Sequence, residues 1–370
     1  VAAELRDFFN EAVIRDIARD LKRAHAAFPD RTFVATAVSG LDPLSLTGRA
    51  AHIAAAMRQC LPEDFGETAN ILTRSLGSSH ASSDTFGMQP FKYLPHTMYV
   101  AEHGLAHFDA SMALQLELTQ RFTAEFSIRA FLTHHPEATY ARLVEWARHD
   151  NVHVRRLVSE GSRPRLPWAP RLRQFQEDPA PVLALLDQLK DDPELYVRRS
   201  VANNLNDISK DHPDVAVATA RRWLKDASPE RRWIVRHALR VLVKQGHPGA
   251  LELMGVGQKP KIRLAGVRIT PSRVRPGGRV VVTCVVQSAT KVSQDLLIDY
   301  AVHYMKASGR TSPKVFKLKR VTLPAKGSMP ISITITLKDL TTRKHHAGRH
   351  AVDLLVNGRS FPLGTFVLSR

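Results

Sequence analysis

The 370-residue sequence predicts a multidomain chain, an all-α solenoid of helical repeats over residues 1–257 followed by an all-β sandwich over residues 258–370. Three observations carry this prediction. Apolar residues recur at spacings of three and four up to about residue 255, the stripe of amphipathic helices. Beyond Gln258 the period changes to two. Charge divides at the same place: residues 258–370 hold 21 Lys and Arg against four acids, while residues 1–257 hold 32 basic and 31 acidic groups. With 44% apolar and 24% charged residues the composition is that of a globular protein. The net charge of +18 implies an anionic partner, whose non-specific attraction resides in the last third of the chain.

The helical pattern begins with Leu5, Phe8, Phe9, Val13, Ile14 and Ile17. Its mixture of acids and bases excludes a signal peptide, and no run of 18 apolar residues exists to cross a membrane. An opening Val predicts a short preceding segment. The small, polar, aperiodic stretch around 78–90 predicts a long loop, and helical spacing returns over 98–136. Three segments then resemble one another: DNVHVRRLVSEG from Asp150, DPELYVRRSVANNL from Asp192 and SPERRWIVRHALRVLV from Ser228. Their Val154, Val197 and Val235 are 43 and 38 residues apart, and each Val-Arg helix follows a turn-forming Asp or Pro. That period resembles the HEAT family of stacked helical hairpins, which present a concave face. Past Gln258, the segments VRIT, RVVVTCVVQ, LLIDYAVHYM, KVFKLKRVTL, MPISITITL and HAVDLLVN alternate between Pro- and Gly-containing turns. Six to eight such strands predict an antiparallel, Ig-like sandwich without a disulfide.

Cysteine use is sparse, Cys60 and Cys284 only, so neither a disulfide framework nor a thiolate zinc site is expected, and a reducing cytoplasm fits. Walker A, GxGxxG, GxSxG and HExxH patterns are absent. His103 and His107 have the i,i+4 spacing of metal ligands on one helix, but no third ligand accompanies them, so no metal or other cofactor is expected. The HisHis pairs at 134 and 345 read as loop residues.

Three carboxylates stand out. Glu125 lies among Phe122, Phe126 and Phe131 with Arg129 one turn on, which as a local pattern predicts a surface ion pair. Glu160 closes its helix just before Gly161, where a negative charge opposes the helix dipole. Asp207 sits in NNLNDISKDHP, whose Asn and Asp equally suit a turn between repeat helices. After Glu160 comes GSRPRLPWAPRLRQF, in which Arg163, Arg165, Arg171 and Arg173 surround Trp168 between Pro167 and Pro170. Guanidinium groups suit phosphate and an exposed indole can stack on a base or sugar, although a Trp that only packs its loop is the competing expectation. Arg155, Arg198 and Arg236 are candidates for structural ladders between repeats, and Arg156 and Arg199 for binding. Arg232 and Trp233 extend the same face.

HGLAHFDASMALQLELTQRFTAEFSIRAFL, WARHDNVHVRRLVSEGSRPRLPW and VRRSVANNLNDISKDHP, in this order, resemble the bacterial AlkC DNA alkylation repair proteins. The likeness spans the helical body and the appended β-domain, and that family is similar to AlkD in its HEAT-like repeats. The resemblance implies a monofunctional DNA glycosylase that removes N3-methylated bases, 3-methyladenine and 3-methylcytosine, from duplex DNA. It implies Glu125, Glu160 and Asp207 as the catalytic acids. It also implies that Trp168 packs against the sugar or backbone beside the lesion, and an approach to the deoxyribose from outside, without flipping the base; with Trp168, the residues expected to contact DNA are Arg156, Arg163, Arg165, Arg199, Lys210, Arg232 and Trp233. The expected partner is alkylated double-stranded DNA, with no membrane and no obligate protein partner, acting as a monomer in the bacterial cytoplasm at the nucleoid. Two rival readings are a non-catalytic scaffold for bent or damaged nucleic acid and a protein-interaction solenoid. Catalysis requires the three acids to converge, whereas a scaffold lets them diverge.

Overall fold

The computed structural model describes residues 5–80, 89–339 and 344–369. Helices fill the first part: α1 (Glu11–Ala24), α2 (Asp30–Val38), α3 (Leu46–Cys60), α4 (Phe65–Ser75), α5 (Leu94–His103), α6 (Phe108–Thr119), α7 (Ser127–His134) and α8 (Pro136–Trp146). They continue as α9 (Val152–Gly161), α10 (Arg173–Glu177), α11 (Ala180–Leu189), α12 (Leu195–Ile208), α13 (Pro213–Leu224), α14 (Pro229–Ala238), α15 (Arg240–Gln245) and α16 (Pro248–Leu253). Their starts follow capping chemistry. Asn10, Ser45, Asp64 and Asn151 each accept a backbone N–H of the first turn, satisfying donors that no earlier carbonyl can reach. Of the expected loop at 78–90, residues 81–88 lie outside the described residues, and Gln89–Tyr93 form a 3-10 helix.

Two compact units emerge. One runs to His212 and resumes over Ala227–Ala238; the other takes Pro213–Asp226 and everything from Leu239 onward, so that α13, α15 and α16 pack with the strands. Within the first unit the three resembling segments form α9, α12 and α14, each packed on the next, with α11 against both α9 and α12. Val154, Val197 and Val235 are all fully buried at these contacts. The recurring Val thus marks the stacking face of a HEAT-like array.

Among the described residues of the second unit, eight strands form two sheets. β1 (Ile262–Thr270), β3 (Arg279–Ser288) and β6 (Ser328–Thr336) make one, in the order β1-β3-β6. The other has the order β2-β8-β7-β4-β5, from β2 (Arg273–Val274), β8 (Arg359–Leu368), β7 (Gly348–Val356), β4 (Gln294–Met305) and β5 (Thr311–Leu323). All pairings are antiparallel except β2 with β8. Alternate residues Val280, Val282, Cys284 and Val286 of β3 meet Ile331, Ile333 and Ile335 of β6 and the inward residues of β4 and β7 in one core. Strands β2 and β8 escape the sequence pattern, β2 because it is two residues long and β8 because Pro362 and Gly364 interrupt its alternation.

Two local expectations are corrected. His103 ends α5 and His107 precedes α6, so they share no helix; they pack instead on Tyr99 and Phe65, with ring centroids 4.7 and 5.1 Å apart. His134 belongs to the last turn of α7 rather than to a loop. Among the described residues no group of three His, Cys, Asp or Glu is placed to hold a metal ion, and no helix is long and apolar enough to cross a membrane.

Gly161 is the last residue of α9, and its reason is packing: a methyl added there would lie 2.6 Å from Cγ2 of Ile128 on α7. We expect Gly161→Ala to cost about 1–3 kcal/mol, the range for overpacking a filled contact, in urea unfolding. A loss below about 0.5 kcal/mol would show that α7 and α9 yield there.

Candidate active site

The three acids named from sequence occupy related places in the first unit. Glu125 lies in the turn leading into α7, Glu160 in the last turn of α9 and Asp207 in the last turn of α12. Asp207 is therefore helical, not a turn residue between repeats. Two guanidinium groups link the three acids. Arg156 donates through Nη1 to Oε2 of Glu125 at 2.5 Å, and its Nη2 lies 3.5 Å from Oε1 of Glu160. Arg163 donates through Nη1 to that same Glu160 oxygen and through Nε to Oδ2 of Asp207, both at 2.7 Å. Lys210 ends the line on Oδ1 of Asp207, also at 2.7 Å. Hydroxyls complete it: Thr123 donates to Glu125 at 2.8 Å and Ser200 to Oε2 of Glu160 at 2.6 Å. Acid and base thus alternate from Glu125 through Arg156, Glu160, Arg163 and Asp207 to Lys210.

Burial makes this alternation necessary. Asp207 is 1% exposed, Glu160 6% and Arg163 8%. An isolated charge at such depth would neutralise itself rather than bear the desolvation cost. For Glu160 burial acts first, against the charged form, but Arg156 and Arg163 outweigh it and hold the carboxyl below its ordinary value. Arg156 and Arg163 are held above theirs by the same balance, burial opposed by the carboxylates they serve. Because the folded-state value of Glu160 is depressed, its stabilising contribution is present above the unfolded carboxylate range near pH 4.3. It is lost as pH falls through the folded value. Near neutrality Glu160 is ionised.

Arg129 does not meet Glu125 as the i,i+4 spacing predicts. Its guanidinium turns to main-chain carbonyls, donating to Gly161 at 3.0 Å, Arg163 at 2.6 Å and Pro170 at 2.5 Å. Burial lowers its pKa to about 10, with Glu125 opposing. These bonds tie down both ends of the Pro-rich loop between α9 and α10. At its tip Trp168 adopts φ 65° and is 68% exposed, the largest exposure of any big apolar side chain among the described residues. The expectation that this Trp might only pack its loop is not what the structure contains. Trp168 and Leu166 border an apolar cavity of about 250 Å³ that reaches Glu125 and Glu160. A second cavity, about 220 Å³, also borders Glu125 and is lined by Phe91, Arg156 and Tyr196, whose ring centroid is 5.3 Å from the Arg156 guanidinium.

The remaining sequence-named residues fall into two groups. Arg165 forms a two-pronged pair with Asp211, its Nε at 2.8 Å, and Asp211 is held below its ordinary value chiefly by that hydrogen bond. Arg199 and Arg232 are exposed on α12 and α14, Arg232 donating to the Ala227 carbonyl at 3.1 Å. Trp233 stacks on His237, centroids 5.0 Å apart. None of these three makes an ion pair or hydrogen bond with the three acids among the described residues. The expected ladder is partial: Arg155 pairs with Asp192 at 2.6 Å and Arg198 donates to the Asp192 carbonyl at 2.7 Å, while Arg236 is exposed. Sequence reasoning missed Ser200 and the clamp role of Arg129. Only Thr123, two residues before Glu125 in a hydroxyl turn, left a signal that could have been read.

A family model described as the C-terminal Ig-like domain of the uncharacterised protein YhaZ matches residues 263–370. The uncharacterized protein YhaZ of Bacillus subtilis (strain 168) is 35% identical over 360 residues, covering 96% of this chain and 97% of that protein. Among solved structures, the Pseudomonas fluorescens alkylpurine DNA glycosylase AlkC bound to DNA containing an abasic site analog is 39% identical. The match covers 100% of both chains with a TM-score of 0.91.

The conformation of Trp168 leads to a stability test. A left-handed backbone costs an ordinary residue about 1–2 kcal/mol, and glycine avoids that while losing about 0.5–1 kcal/mol in chain entropy. Trp168→Gly should therefore leave the unfolding free energy unchanged or raise it by up to about 1 kcal/mol. A loss larger than that would mean that the indole packs the loop.

Proposed function

This chain belongs to the AlkC family of DNA alkylation repair proteins, and from that premise we propose that it is a DNA glycosylase acting on cationic N3-methylated bases, 3-methyladenine and 3-methylcytosine, in duplex DNA. The observation that carries this reading is the convergence of Glu125, Glu160 and Asp207 along one line of shared cations. A base methylated at N3 already bears positive charge, so its glycosidic bond breaks without a general acid. The demand on the protein is to stabilise the oxocarbenium sugar and to deliver water. Carboxylates paired with Arg156 and Arg163, of which Glu160 is held below its ordinary pKa, meet the first demand. Oε1 of Glu125 accepts no hydrogen bond among the described residues and its side chain borders both cavities, which fits it to hold the water that adds at C1′. The water's proton passes to a carboxylate, and the base departs neutral.

Trp168, standing exposed beside the acids, would lie against the sugar or backbone at the lesion. Arg199, Lys210 and Arg232, whose side chains reach solvent, would meet phosphates together with Trp233. Arg156, Arg163 and Arg165 act first as carboxylate partners in this arrangement, and their DNA contacts are indirect. Residues 1–257 would form the glycosylase domain, approaching the sugar without flipping the base. Residues 258–370, with 21 basic groups against four acids, would grip the duplex through phosphate contacts. The proposed setting is the bacterial cytoplasm at the nucleoid, with the protein working as a monomer and needing no protein partner.

Single-turnover release of methylated bases from methylated duplex DNA, resolved by chromatography, tests the reading. The wild type should release N3-methyl bases. Asp207→Asn and Glu160→Gln should slow release by about 10²-fold or more, the scale of losing one preorganised electrostatic group, while neither weakens duplex binding by more than a few-fold. No release by folded, DNA-binding wild type would leave a non-catalytic scaffold for damaged DNA.

A further inference from the structure

The free protein leaves the two innermost acids no open oxygen. On Glu160, Oε1 is taken by Arg163 and faces Arg156, and Oε2 accepts from Ser200. On Asp207, Oδ2 is taken by Arg163 and Oδ1 by Lys210. The partners differ in what their departure would cost. Arg163 and Ser200 are themselves buried, and moving either would strand buried charge or polar groups. Lys210 lies in the turn just beyond α12 with its side chain 39% exposed, on a flexible four-carbon stem. Lys210 is the outer of the two cations on Asp207, its departure leaves Arg163 in place on Oδ2, and a phosphate oxygen offers its ammonium the same partner chemistry.

We propose that Lys210 is an exchangeable counter-ion, a positioning residue that pairs with Asp207 in the free protein and passes to a DNA phosphate in the complex. The exchange leaves Oδ1 of Asp207 open towards the sugar at the moment a lesion is bound. Away from DNA it keeps Asp207 covered. Arg163 remains on Oδ2 throughout, so the buried carboxylate is never without a cation. This inference rests on the DNA reading above and adds to it the event that prepares the acid.

The test is duplex affinity as a function of salt, read by fluorescence anisotropy with a duplex carrying an abasic-site analogue, so that no chemistry intervenes. Lys210→Gln should lower the slope of log K against log salt by about 0.9, the contribution of one phosphate contact, and Lys210→Arg should restore it. Asp207→Asn should tighten binding more in the Lys210 protein than in the Lys210→Gln protein, by roughly three-fold or more, because only in the former does it release a cation for DNA. An unchanged slope in Lys210→Gln, or an equal effect of Asp207→Asn in both backgrounds, would show that Lys210 stays on Asp207 and overturn the exchange. Circular dichroism confirms that each variant is folded, and Lys210→Arg keeps the test decisive if the neutral variant is not. A wild type that binds no duplex at all would overturn the DNA reading itself, an outcome distinct from a bound complex with an unchanged slope.

Discussion

The Arg163 guanidinium is the constraint on which the rest of the site depends. It is buried, it faces two buried carboxylates from different helices, and it bonds each at 2.7 Å. Removing Arg163 would strand two buried carboxylates, and removing them would strand a buried guanidinium, each at a large desolvation cost. Their mutual dependence sets the register of α9 against α12, because the stacking of Val154 and Val197 has to place all three groups within reach. Packing and electrostatics therefore specify the same geometry from two directions. A core built only of apolar side chains would stack the repeats as well and would leave nothing to act on a developing cation.

The structure spends stability in this region as well as gaining it. Trp168 holds a backbone conformation that disfavours every residue but glycine, and it exposes an indole that a loop of no purpose would bury or lack. The loop keeps that arrangement because its ends are fixed. Arg129 ties three of its carbonyls to α7, and Pro164, Pro167 and Pro170 remove much of its remaining freedom. Rigid support under an exposed aromatic, with Glu125 and Glu160 on the same cavity, is what the proposed function requires of a preorganised site.

Much of the architecture was legible because it rests on periodicity. Spacing of three and four marked the helices, alternation marked six of the eight strands, and the repeated Val-Arg pair marked the stacking face. The acids were legible to different degrees. Glu160 stood out because a negative charge at a helix end is unfavourable unless something compensates it, and the structure supplies the compensation in Arg156 and Arg163. Asp207 was ambiguous because Asn and Asp serve turns, and only the length of α12 shows that it is helical. The carboxylate partners of Arg163 and Arg165 were not legible because a sequence displays charge without displaying its partner. Those partners, Asp207 and Asp211, lie 44 and 46 residues away. Arg129 was misread for the same reason: spacing offered it a local carboxylate, while the fold brought it carbonyls from a loop more than 30 residues on.

Under the proposed function, carboxylates with no general acid carry the hydrolysis of an already cationic base. The most direct measurement is the pH dependence of single-turnover release of 3-methyladenine by the wild type. Release should hold a plateau from about pH 5 to 9 and fall only on the acid side, below about pH 4.3, as the depressed Glu160 carboxyl titrates. A bell-shaped profile, in which release also falls as pH rises through neutrality, would reveal a proton donated to the leaving base and contradict the proposed chemistry.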